Sequence, residues 1–196
     1  MRTRNNDKEQ LVKEQAIQML VREGVEGFGM NRLASACGIS VATLYIYYKD
    51  KVDLIKKIGL DIGARFLAAT LRDFSPDMSF PVGLKKQWEN RASFALKNAK
   101  EVACYVIIMH SSHGEAVLKG GLREFRSVMH EFFQNAIKRG ELIPVPVNVF
   151  WSVAYGPLYT LLQFHNEKRS IEGRPFKFTK KTMDDTFQLV IKALTP

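Results

Sequence analysis

Between Leu33 and Leu54 the chain reads LASACGISVATLYIYYKDKVDL, two short helical patterns hinged at Cys37-Gly38-Ile39-Ser40. A hinge of this kind is what a helix-turn-helix requires: the first helix braces the second, and the second lays its N-terminal residues against base edges in the major groove of DNA. Leu33, Ala34 and Cys37 fall at i, i+1 and i+4, a narrow apolar stripe whose small residues let a neighbouring helix approach closely. Gly38 suits the stop of that helix, where a left-handed backbone costs glycine less than any residue with a β-carbon. Ser40 follows as an N-cap, its hydroxyl placed to accept a backbone N–H of the next helix. That helix, from Val41 to about Tyr48, is expected to turn Leu44 and Tyr48 inward and leave Val41, Ala42, Thr43 and Tyr47 outside.

From about Leu11 to Leu54 the residues resemble the tetracycline-repressor-like (TetR) family of bacterial transcriptional regulators. The likeness consists of an amphipathic first helix, Gly24, Leu33-Ala34, Gly38-Ile39-Ser40, Thr43-Leu44-Tyr45, Tyr48, Lys51 and Leu54. It implies an all-α fold, with an N-terminal three-helix DNA-binding module followed by a helical domain that binds a small ligand and forms the dimer. Applied to this chain, it puts the helix-turn-helix domain at 1–54 and the effector-binding and dimerisation domain at 55–196. It also implies that Val41, Ala42, Thr43 and Tyr45, together with Ser40 at the cap, face the groove, that Tyr47 and Lys51 hold phosphates, and that Asn31 reaches a base. The chemistry agrees in part: Thr43 and Asn31 can hydrogen-bond base edges, Val41 and Ala42 can make apolar contact with a thymine methyl, and Lys51 supplies charge to the backbone. Three positions depart from the family's pattern: Gly29 replaces a Thr or Ser that caps the second helix, Ala42 replaces a Gly, and Tyr48 replaces a Phe. The alternative for Tyr45 and Tyr47 is that they are packing aromatics.

A formal charge of +9 on 196 residues suits a polyanionic partner. The excess is spread along the chain, since residues 1–60 hold 10 Lys/Arg against 7 Asp/Glu and leave +6 for the remainder. Met1-Arg2-Thr3-Arg4 is a short basic arm that either follows phosphates or is a solvated tail. Two cysteines, Cys37 and Cys104, make neither a disulfide framework nor a zinc cluster. Nothing at the N-terminus resembles a signal peptide, and no apolar run approaches the roughly 20 residues that span a bilayer. A cytoplasmic protein without a membrane helix is therefore expected.

Helical periodicity continues to the end, with about nine helices expected in all. Val12, Ala16, Met19 and Leu20 mark a first helix that Gly24 can end. Leu54, Ile58, Ile62, Phe66 and Leu67 predict a long helix from about Lys51 towards Phe74, and the two prolines of Ser75–Pro81 then break the pattern. Helices at about 82–98, 101–112 and 115–139 follow, the last weakened by Gly120-Gly121. From about 147 to 167 a broad apolar stripe, extended around the helix by Trp151, Tyr155 and Tyr159, suggests burial on two sides. The final helix carries Met183, Phe187, Val190, Ile191 and Leu194. Two such helices from each subunit can form a four-helix dimer bundle, the arrangement the resemblance implies, with Phe150, Val153, Ala154, Leu158, Leu161, Phe187, Val190 and Ile191 as the expected interface. The other reading of that stripe is a monomeric core.

For the effector, Trp88, Tyr105, Met109, His110, Phe125 and Met129 lie on the middle helices where the family commonly has a pocket, and they favour an apolar or aromatic molecule over a highly charged one. Core packing explains aromatic and Met residues at this spacing equally well. His110 and His113 form an H-x-x-H pair near Cys104, but a zinc site needs more ligands than these, so no metal and no cofactor are expected. The chain has no phosphate-cradling glycine loop and no nucleophile elbow, which speaks against an enzyme. The sequence thus points to a homodimeric, ligand-responsive repressor of a double-stranded DNA operator. The alternative is a helical protein-interaction module whose helix-turn-helix does not read DNA.

Overall fold

The computed structural model describes residues 2–119 and 123–196, and the side chains of residues 7–118 and 123–196. Among these it has ten α-helices and no strand. The helices are α1 (Arg2–Gly27), α2 (Met30–Ala36), α3 (Val41–Tyr47), α4 (Lys51–Thr70), α5 (Phe80–Lys97), α6 (Ala99–Met109), α7 (Gly114–Lys119), α8 (Arg123–Lys138), α9 (Val147–Glu167) and α10 (Lys180–Leu194). The side chains of the expected basic arm, and all of Met1, lie outside the described residues.

Helix ends follow local chemistry. In α1 the helical backbone breaks at Gly24 (φ 70°), the residue at which the sequence ends the first helix. The long helix stops at Thr70, short of the expected Phe74. Its last carbonyls are taken by side chains of α5: Gln87 Nε2 donates to Thr70 O at 2.8 Å, and Asn90 Nδ2 donates to Thr70 O and Arg72 O at 3.1 and 2.7 Å. Buried amides that satisfy orphan carbonyls fix a helix terminus more firmly than periodicity does. The single helix expected at 115–139 is described as α7 and α8, with Leu122 between them outside the described residues.

Two compact units emerge, Met1–Arg65 with Asn98–Leu122, and Phe66–Lys97 with Arg123–Pro196. The packing unit around the helix-turn-helix is therefore larger than the segment 1–54. Its core joins Val12, Ala16 and Leu20 of α1, Leu33 of α2, Leu44 of α3, Leu54, Ile58 and Ile62 of α4, and Cys104 and Ile108 of α6. Helices α1 and α6 share the widest contact in this unit. Gly59 lets α4 approach closely: a β-carbon there would lie 2.9 Å from Val117 Cγ2 and 3.3 Å from Ile108 Cγ2. A chain of ion pairs crosses the same helices, from Lys13 to Asp61, from Asp61 to Arg65 at 3.0 Å, and from Arg65 to Glu101 at 2.6 Å. Burial opposes ionisation of Asp61, but the Lys13 ammonium and the Arg65 guanidinium outweigh it and hold the carboxyl below its usual range.

The second unit is built around α5, which buries Phe80, Leu84, Gln87, Trp88, Arg91, Ala92 and Phe94. Phe80 stacks on Phe132 of α8 with centroids 6.1 Å apart, and Trp88 meets Phe187 of α10 edge-on at 5.4 Å. The Trp88 indole N–H donates to Ala154 O of α9 at 2.7 Å, so its one polar atom is satisfied inside the core.

Candidate nucleic-acid interface

The turn between α2 and α3 is built as its sequence requires. Cys37 closes α2, and Gly38 takes the left-handed conformation (φ 64°). The N–H groups of Gly38 and Ile39 then return to Ser35 O and Ala34 O, both at 3.1 Å. Ser40 Oγ accepts from Thr43 N at 3.2 Å and lies 2.9 Å from Thr43 Oγ1, so the cap engages the Thr43 hydroxyl as well as its amide. At the other end of the motif Gly29 caps α2 in extended backbone (φ −141°, ψ 135°) with no side-chain acceptor. The departure at Gly29 therefore leaves only backbone N–H groups to meet an anion there.

Leu44 and Tyr48 are buried, as expected, and burial pushes the Tyr48 hydroxyl up to about 12. The outward face of α3 differs from the expected one. Val41 and Tyr47 pack against the core, and Thr43 is half-buried at the cap. Ala42, Tyr45 and Ile46 are exposed, and Lys49 continues the same i, i+3, i+4, i+7 spacing beyond the helix. Tyr45 is 53% exposed and Ile46 77%, a large apolar surface with no role in the fold. Asn31 and Ser40 are exposed and Lys51 is half-buried. Ile46 and Lys49 are the positions that sequence reading missed, although the helical spacing from Ala42 contains both.

The acids beside this face are used structurally. Asp50 Oδ1 accepts from Asp53 N at 2.8 Å, and Asp53 Oδ2 accepts from Lys49 N at 3.0 Å, a reciprocal cap at the start of α4. The Lys49 amide, then the Lys57 ammonium, hold the Asp53 carboxyl below its usual range. Lys57 itself donates to Tyr47 O at 3.0 Å and lies over the Tyr48 ring, 5.3 Å from its centroid.

The expected effector residues divide between the units. Trp88, Phe125 and Met129 are buried in the second, while Tyr105, Met109 and His110 belong to the first, where His110 is exposed and its Nδ1 donates to Val106 O at 2.9 Å. Cys104 is fully buried, its thiol pushed up to about 12 by burial and the nearby Glu101. Among the described residues no three His, Cys, Asp or Glu side chains gather as metal ligands. A polar centre the sequence did not suggest sits in the second unit: Arg91, 1% exposed, with aromatic rings around its guanidinium.

Of the residues expected at a dimer interface, Phe150, Ala154, Leu158, Phe187 and Val190 are buried within their own protomer. They complete its core and have almost no surface left for a partner. Val153, Leu161 and Ile191 are half-buried. The outer face of α9 instead carries Val149, Ser152, Gly156, Tyr159, Thr160 and Gln163, half-buried or exposed and without formal charge. Among the described residues no helix is long and apolar enough to cross a membrane.

Residues 12–58 match the family described as bacterial regulatory proteins, tetR family. An uncharacterised HTH-type transcriptional regulator of Haemophilus influenzae is 26% identical over 80 residues, 41% of this chain and 43% of that protein. An HTH-type transcriptional regulator of Staphylococcus aureus is 43% identical over 54 residues, 28% of this chain and 29% of that protein. These matches thus span less than half the length of the curated relatives. Over 99% of this chain and 98% of the other, the fold superposes on a TetR family transcription regulator from Marinobacter aquaeolei VT8 with a TM-score of 0.83 at 22% identity. A regulator of the same type from Shewanella gives 0.76 at 18% identity, over 96% and 98% of the two chains. At these identities the structural likeness is one of fold.

Proposed function

We propose, from the match of residues 12–58 to the tetR family of bacterial regulatory proteins, that the chain is a homodimeric repressor of that type, working in the cytoplasm on a (pseudo)palindromic operator. The observation that carries this reading is the outward face of α3. Tyr45 and Ile46 project beside Ala42 and Lys49 from a helix whose inner residues, Leu44 and Tyr48, are locked in the core. Such a face offers apolar contact to thymine methyls and a tyrosine hydroxyl to a base edge or phosphate, with Lys49 and Lys51 at its end for phosphates. Asn31 and Ser40 extend the contact on the α2 side. Thr43, tied to the cap, is left with less freedom to read a base than its sequence position implies.

Two such faces must meet successive major grooves about 34–36 Å apart, which requires a dimer. The uncharged outer face of α9 supports one, because a partner helix can approach closely at Gly156, where a β-carbon would meet nothing within 4 Å. The effector site in this reading lies in the second unit, among the aromatic residues of α5, α8 and α9. α4 contributes residues to both units, so it is the segment through which ligand binding changes the separation of the reading helices. No catalytic step forms part of this function.

Selection of bound sequences from a random duplex pool tests the proposal, with Tyr45→Ala/Ile46→Ala as control. Enrichment of an inverted repeat by the wild type and its loss in the control is the expected result. Absence of any enriched repeat would sink the repressor reading. The apolar character of Tyr45 and Ile46 favours one other function, a protein-docking helix. A docking helix would show no salt-dependent affinity for generic duplex, whereas phosphate contacts release counterions and make binding fall with salt.

A further inference from the structure

Among the described residues Arg91 is the one fully buried charged side chain, at 1% exposed. No carboxylate among the described residues pairs with it. Its Nη1 donates to the Tyr159 hydroxyl and its Nη2 to Gln87 Oε1 at 3.2 Å. A guanidinium carries five N–H donors, and the Nε donor here meets no acceptor. The Tyr155 hydroxyl, whose ring lies against the same guanidinium, is also buried and meets no acceptor or donor at full hydrogen-bond geometry among the described residues. The guanidinium carbon lies 4.3 Å from the Tyr155 ring centroid, 5.4 Å from Trp151, 5.5 Å from Phe66 and 5.7 Å from Phe125.

Aromatic faces offset part of the cost of burying a cation, but they offer no acceptor for Nε–H. A protein that only needed to fill this volume would do so at lower cost with an apolar side chain. Two buried donors without a formed hydrogen bond therefore belong to neighbouring side chains, one cationic and one neutral. The neutral one remains a donor throughout the physiological range, since burial pushes the Tyr155 hydroxyl up to about 12. What is missing is a single anion with two acceptor oxygens. We propose that Arg91 and Tyr155 bind the head group of a monocarboxylate whose apolar or aromatic body lies among Phe66, Phe125 and Trp151. One buried positive charge matches one negative charge, whereas a doubly charged phosphate would bring an uncompensated charge into the core. Trp151 and Tyr159, 39% and 38% exposed, flank the guanidinium at 5.4 and 6.0 Å and reach the surface. The assignment adds a single charge to the apolar or aromatic effector expected from the sequence, and its consequence for DNA rests on the repressor reading above.

The test is calorimetry on the full-length protein with decanoate and 4-phenylbutyrate, each beside its neutral primary amide. Wild type binds at least one of the acids at least tenfold more tightly than its amide. Arg91→Gln and Arg91→Met lower that affinity by one to two orders of magnitude, the worth of a charge-assisted pair of hydrogen bonds. Tyr155→Phe, which keeps the ring, lowers it several-fold and guards against loss by misfolding of the arginine variants. Equal binding of acid and amide, retention of acid affinity in folded Arg91→Met, or no binding of either acid at millimolar concentration would overturn the assignment. A second measurement separates the two proposals: if the bound acid leaves operator affinity unchanged, the carboxylate site stands and ligand-released repression falls.

Discussion

Ser40 is held to its place by two contacts of one neighbour, the amide and the hydroxyl of Thr43. Ser40→Ala is expected to cost about 1 kcal/mol of stability, the usual loss for a removed N-cap, read as a lower midpoint in thermal or urea unfolding. Tyr45→Ala makes the opposite kind of change, because an exposed ring outside the core can go with a stability change within about 0.5 kcal/mol. Its operator affinity, measured by fluorescence anisotropy, should fall by an order of magnitude or more. Tyr48 and Tyr155 carry a shared alkaline signature, both hydroxyls being raised to about 12 by burial. In the unfolded chain they ionise near pH 10, so the folded state binds more protons between those values and stability falls as pH rises from about 10 to 12. Ultraviolet titration should find two tyrosines that ionise only as the fold is lost; ionisation of all six near pH 10 in the folded protein would refute the burial of both.

Helix α4 is gripped differently along its length. Near Asp61 it is held by ion pairs to α1 and α6, and its last turn is held by buried amides of α5. Asp61→Asn should lower stability at neutral pH by less than about 1 kcal/mol, because these charges are partly exposed and screened. The carboxyl is held below its usual range, so its contribution is present above pH 3.8 and lost as pH falls through its folded value. The difference between Asp61→Asn and wild type should therefore narrow in acid and at high salt; a difference indifferent to both would exclude the ion-pair account. Gly59→Ala should cost about 1–3 kcal/mol by forcing Val117 and Ile108 aside.

The elements also show what a sequence can carry. The hinge and the Ser40 cap were legible because each rests on contacts within a few residues, and the burial of Leu44 and Tyr48 because their i, i+4 spacing puts both on one helix face. The outer face of α3 was legible only in part, since Val41 and Tyr47 are covered by a core assembled from α1, α4 and α6. The stripe on α9 announced burial but not whose: Phe150, Ala154 and Leu158 are consumed by their own protomer. Arg91 was missed because a lone arginine on a helix normally reads as surface. Its place in register with Leu84, Trp88 and Ala95 was the signal.

At the scale of the whole molecule, the proposed regulator works only as a pair. Gly156→Arg places a long charged side chain where a partner helix would approach, and its β-carbon meets nothing within 4 Å in its own protomer. Sedimentation should show a monomer of 22.3 kDa that keeps its helical signal and has lost specific DNA binding. A variant that stays dimeric would move the interface away from this face. Arg91 has a consequence of another kind. A cation with an idle donor inside a ring of aromatic side chains is a standing expense in folding free energy, so variants chosen for heat resistance alone should discard it early. Random mutagenesis followed by heat challenge, with no demand for function, is expected to return Met or Leu at position 91 again and again, and those survivors should be deaf to any acid that the parent hears.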